Sequence, residues 1–95
     1  MDKIKKEKGE MRVSGAKAVS FENRDYYIEL GFNIAYYRKR AGMTQDELAE
    51  RIGISRSHLS AIEAPNIIRP FSLEILFSIA AALRVKPCKL LEFRE

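Results

Sequence analysis

Ninety-five residues suffice for one modest core and leave little room for a catalytic cleft, and a chain that is 46% hydrophobic and 32% charged is neither collagen-like nor low-complexity nor wholly disordered. A single cysteine, Cys88, precludes an internal disulfide and with one histidine offers no zinc ligand set, and no apolar run approaches the roughly 20 residues of a membrane span. The formal net charge of +4 permits nucleic-acid binding, but residues 1–21 carry six basic and three acidic groups, against eleven and ten in the remainder.

Residues 1–21 mix Lys3, Lys5, Lys6, Lys8, Arg12 and Lys17 with Gly9, Ser14 and Gly15, without sustained apolar periodicity, which predicts a flexible basic N-terminal arm. Such an arm is either a solvated tail or a source of extra phosphate contacts. The basic start is not followed by the apolar stretch of a signal peptide, so a reducing cytoplasm is the expected compartment. Residues 22–95 read as one domain.

In that domain Tyr27, Leu30, Ile34, Tyr37 and Ala41 recur at steps of three and four and predict a first helix, with Asn23 as N-cap and Gly42 as stop after Arg38, Lys39 and Arg40. Thr44-Gln45-Asp46-Glu47 has the form of a capping box, in which the hydroxyl and the Glu47 carboxylate each satisfy a backbone N–H. It opens a second helix to about Ile52, with Leu48, Ala49 and Ile52 inward and Gly53 as breaker. Ala49 is small enough for another helix to cross closely.

Ile54 reads as a buried spacer and Ser55 as the N-cap of a third helix, from Arg56 to about Ala64, which Pro65 stops. At about 100° per residue Ser55, Leu59 and Ile62 share one side, while Ser57, Ser60, Ala61 and Ala64 form a small, uncharged outer face. After a loop, Ser72 caps a fourth helix with a wide stripe of Leu73, Leu76, Phe77, Ile79, Ala80 and Leu83. A short last helix starts near Pro87, with Cys88, Leu90, Leu91 and Phe93 for packing and Cys88 as a small buried apolar residue. With no strand signal or internal repeat, the fold class is all-α with five helices.

Two short helices joined at Gly53, the second with a slender outer face, suit entry into the roughly 12 Å major groove, although helical hairpins are also common without DNA. The residues add a closer likeness: Gln45 to Glu63, with Gln-x-x-Leu-Ala, Gly-Ile and Leu-x-x-Ile-Glu in order, resembles the Xre, or lambda-repressor-like, helix-turn-helix family. The likeness extends from about Leu30 to Leu91, including Ser72-Leu-Glu-Ile-Leu and Lys89-Leu-Leu. It departs after Glu63, where many members continue Asn-Gly and this chain has Ala64-Pro65-Asn66-Ile67-Ile68-Arg69-Pro70.

The resemblance implies a five-helix lambda-repressor-like domain that binds a double-stranded operator as a homodimer, around Leu90, Leu91 and Phe93, with half-sites about 34 Å apart. It implies base contacts from Arg56, Ser57, Ser60 and Ala61 on the third helix. An arginine at the front of that helix can donate two hydrogen bonds to guanine O6 and N7, whereas Ala61 could meet only a thymine methyl. Phosphate contacts fall to Gln45, joined by Thr44 and Ser55, which serve either there or as simple caps. Arg38 and Glu63 match a structural ion pair, Arg38 also reaching a phosphate, and Asn66 lies in the loop that touches the backbone in the family. Arg69 shares that loop without an assigned role.

His58, a lone histidine on the flank of the third helix, receives no chemistry. Tyr27 and Tyr37 are placed in the core rather than on bases, and Lys39 and Arg40 are solvated charges or nonspecific backbone contacts. No acid–base pair, metal set or phosphate loop argues for an enzyme, and no cofactor is expected. The competing reading is an antitoxin-like or adaptor module that uses the same helices to hold a partner protein.

Overall fold

The computed structural model describes residues 19–68 and 70–93. Expectations for the basic arm over residues 1–18, and for Arg69, fall outside them. The regular elements of the described residues are all helical, with a 3-10 turn (Phe21–Asn23) leading into α1 (Arg24–Arg40), then α2 (Gln45–Ile52), α3 (Arg56–Glu63), α4 (Leu73–Leu83) and α5 (Pro87–Leu90). No strand occurs among the described residues, and none of their helices is long and apolar enough to cross a membrane.

Local chemistry accounts for most boundaries. The Thr44 hydroxyl accepts from Glu47 N at 3.0 Å while Thr44 N donates to Glu47 Oε1 at 2.8 Å, completing the capping box. Ser55 and Ser72 cap α3 and α4 by accepting from His58 N (3.0 Å) and Ile75 N (3.1 Å). Asn23 does not cap α1, because the preceding 3-10 turn already holds it in helical geometry and its side chain makes no cap bond.

Helix α2 ends at Gly53 in the left-handed region (φ 80°), with Ile54 N returning to Ala49 O at 3.0 Å. Helix α4 ends the same way without a glycine. Arg84 takes φ 61°, and Val85 N bonds Ala80 O at 3.0 Å.

Helix α1 packs against α3, α4 and α5, while α2 lies on α3 and α4. Their shared core is Leu30, Ile34, Leu48, Ala49, Leu59, Ile62, Leu76, Ile79, Ala80, Leu83 and Leu90, of which Ile34, Leu48, Leu59, Ile79 and Leu90 are fully enclosed. Two contacts bring distant segments together. A Cβ on Gly31 would lie 2.6 Å from Ile62 O, so it is Gly31 that lets α1 approach the end of α3. Buried Asn33 donates from Nδ2 to Leu90 O (2.9 Å) and Glu92 O (3.1 Å), holding the C-terminal turn on α1.

The apolar stripe of α4 is wider than its buried part. Leu76, Ile79, Ala80 and Leu83 occupy its centre, while Leu73 and Phe77 fall on one edge, a turn apart, and are 65% and 50% exposed. In the last segment only Leu90 is buried: Cys88 is exposed, Leu91 is largely open, and Phe93 is half-buried against Tyr26 with ring centroids 5.7 Å apart. Cys88 is therefore a surface thiol and not the buried apolar residue expected. Tyr37 and Ile54 are half-buried against the core, Tyr27 is half-buried outside the core cluster and not within it as expected, and Ala41, beyond the end of α1, is exposed.

Candidate nucleic-acid interface

A buried polar cluster beneath α2 and α3 fixes their relative position. Arg38 donates from Nε to Glu63 Oε2 at 2.8 Å and from Nη2 to Glu63 Oε1 at 2.9 Å, a bidentate pair, and from Nη1 to Met43 O at 2.7 Å. Gln45 Nε2 donates to the same Glu63 Oε1 at 2.9 Å. The carboxylate at the end of α3 thus ties α1 to the start of α2, and Arg38 adds the α1–α2 turn. Arg38 is 8% exposed, with a donor on each of its three nitrogens engaged inside the protein, as a structural ion pair requires.

Above this cluster, the first turns of α2 and α3 lie side by side, and Asp46 Oδ1 is 3.7 Å from Arg56 Nε. Both helix starts present free backbone N–H groups and the positive end of a helix dipole. Thr44 and Ser55 are exposed, and each uses its hydroxyl oxygen to accept the cap bond, so that a hydroxyl hydrogen remains to donate; Ser55 Oγ also lies 3.4 Å from Ser57 Oγ, where either hydroxyl can be the donor. Capping and phosphate binding are therefore compatible in one residue. Gln45 is half-buried and keeps a second amide hydrogen beyond the one given to Glu63.

On α3, Arg56 stands clear with 63% of its side chain exposed, Ser57 is exposed, and Ser60 is half-buried. Ala61 is only 7% exposed. It lies on the outward arc of the helix, but little of its one-carbon side chain reaches the surface. Asn66 is exposed in the turn after α3 that Ile67 N closes on Ala64 O at 3.3 Å. Of the exposed cations at the end of α1, Arg40 is turned back onto Tyr36, with its Nη1 3.2 Å from the hydroxyl and its guanidinium 5.7 Å from the ring centre.

Sequence reasoning did not find the Gln45–Glu63 bond, which spans 18 positions, or the Asp46–Arg56 pair. Opposite charges at two adjacent helix starts were the available sign of the second. Away from this surface, Tyr26, Tyr27, Leu73, Leu76, Leu91 and Phe93 line an apolar groove of about 400 Å³.

A capped helix pair with an exposed arginine at the front of its second member defines a helix-turn-helix unit. The chain belongs to the helix-turn-helix family HTH_3, whose profile matches residues 34–90. It is similar to the HTH-type transcriptional regulator SinR of Bacillus subtilis (strain 168), with 38% identity over 63 residues that make up 66% of this chain and 56% of that protein. The chain thus spans somewhat over half the length of this relative. Among solved structures it is similar to the master regulator for biofilm formation SinR in complex with DNA, at 38% identity and a TM-score of 0.61, covering 66% of this chain and 98% of that one. It is equally similar to SinR in the SinR/SinI protein complex, at 38% identity and a TM-score of 0.61, covering 66% of this chain and 60% of that one.

Proposed function

We propose that this chain is a sequence-specific double-stranded DNA-binding transcriptional regulator, acting as a repressor and working in the cytoplasm, which reads the major groove with the helix at 55–64. The observation that carries the reading is the exposed first turn of α3, Arg56 and Ser57, held beside the capped start of α2 by the buried Arg38–Glu63–Gln45 cluster. A rigid base under a slender reading edge is what groove entry requires. Arg56 reads guanine, with Ser57 and Ser60 as smaller partners. Thr44, Gln45, Ser55 and Asn66 hold phosphates and set the register. The role is binding, not catalysis.

One eight-residue helix contacts few base pairs, so the operator is read by a homodimer with half-sites about one DNA turn apart. Exposed Leu73, Phe77 and Leu91 supply its surface; Leu90, fully enclosed within the monomer, does not take part. The relative's complex with DNA supports the reading. A second reading, an adaptor that holds a partner protein, is favoured by the apolar groove and by the relative's complex with a protein partner.

The test is fluorescence anisotropy of the full chain on DNA from upstream of its own gene against a scrambled duplex, over a salt series. A regulator binds the upstream DNA about a thousandfold or more tightly than scrambled DNA. Equal affinities at every salt concentration would sink it and leave the adaptor reading.

A further inference from the structure

Asp46 and Arg56 face each other across the front of the helix-turn-helix, with Oδ1 3.7 Å from Nε and side chains 77% and 63% exposed. Asp46 sits in the first turn of α2, the end whose N–H groups and dipole attract phosphate, where a carboxylate opposes binding to any DNA backbone. Its neighbour Glu47 has a structural task, accepting from Thr44 N in the capping box. The charged partner of Asp46 among the described residues is Arg56. Among the described residues no hydrogen bond engages the terminal amino groups of Arg56, and these can form the fork that grips guanine O6 and N7. An untethered arginine on so short a helix reaches phosphates as readily as bases.

We propose that Asp46 is a specificity-determining positioning residue: it holds the Nε edge of Arg56 so that the free fork meets a guanine, and its charge lowers affinity for DNA of any sequence. This rests on the reading role given to α3 above. Removing the carboxylate should therefore increase indiscriminate binding and blunt base preference together. A merely structural residue would not do both.

The test is selection of binding sites from randomised duplexes by the full chain, then anisotropy titration of the selected and a shuffled duplex over a salt series. It compares wild type, Asp46→Asn, Asp46→Glu, Arg56→Ala and the double variant Asp46→Asn with Arg56→Ala. In Asp46→Asn, preference for the selected guanine falls about two- to fivefold, the range set by an exposed ion pair. Its shuffled-DNA affinity rises, and the slope of log affinity against log salt steepens by about one. Asp46→Glu restores part of the preference, and the double variant matches Arg56→Ala in base preference. Unchanged preference and slope in Asp46→Asn would overturn the positioning role while leaving DNA reading intact. So would a further loss of preference in the double variant, since Asp46 would then act apart from Arg56. A wild-type chain that enriches no sequence removes the reading itself, and this role with it.

Discussion

Arg38 and Glu63 lie 25 positions apart and are both more than nine-tenths buried, so each charge depends on the other for its solvation. Removing the acid strands a guanidinium under α3 and also deprives Gln45 of its acceptor. Glu63→Ala should cost roughly 3–5 kcal/mol, and at about 4–8 °C per kcal/mol for a chain of this size the thermal midpoint should fall by more than about 10 °C. Calorimetry or circular dichroism would measure it, and an unchanged midpoint would place both charges in solvent.

Arg56 is the converse case. With 63% of its side chain exposed and one long ion-pair contact, its replacement by alanine should move the midpoint little while removing about 1–3 kcal/mol of discrimination for guanine in competition binding. Both residues were legible in the sequence, because the family pattern carries their positions. The burial of Ala61 was not legible, since helical spacing reports direction but not how far a one-carbon side chain emerges.

At the scale of elements, the caps at Thr44, Ser55 and Ser72 and the stop at Gly53 are signals written within a few residues, and they were read directly from the chain. The end of α4 was not. Arg84 occupies the left-handed region that glycine usually takes, at a cost of roughly 1–2 kcal/mol, so nothing in the local composition marks the stop. Arg84→Gly should raise the thermal midpoint by several degrees, as a thermal melt would show; a fall would mean that the Arg84 side chain stabilises the turn in its own right.

Gly31 makes the opposite forecast for a helix glycine. Alanine gains about 1 kcal/mol of helix propensity there, but its Cβ would stand 2.6 Å from Ile62 O, and the overpacking of about 1–3 kcal/mol should win. The melting temperature of Gly31→Ala should therefore drop; a rise would contradict the close crossing of α1 and α3. Such long-range contacts, like that of Asn33 with Leu90 O 57 positions away, leave no periodic trace, and this is why they escaped sequence reading.

At the scale of the molecule, the helices of the described residues bury one core and still leave Leu73, Phe77 and Leu91 at the surface. Periodicity showed an apolar stripe on α4 but not how much of it the neighbouring helices cover. If a second copy covers the rest, Leu73→Glu should shift sedimentation toward monomer and weaken operator binding while leaving the melt nearly unchanged. A dimer that persists would move the interface elsewhere.

If α3 reads base edges, it does so in the major groove, and guanine N7 is exposed only there. Methylation interference tests it most directly, by asking which N7-methylated guanines in a selected duplex prevent binding of wild type and of Arg56→Ala. Interference is predicted at one guanine per half-site, with the two centred about 10 base pairs apart, and Arg56→Ala should lose sensitivity at those positions. Binding indifferent to N7 methylation throughout, or an unchanged pattern in Arg56→Ala, would contradict the account.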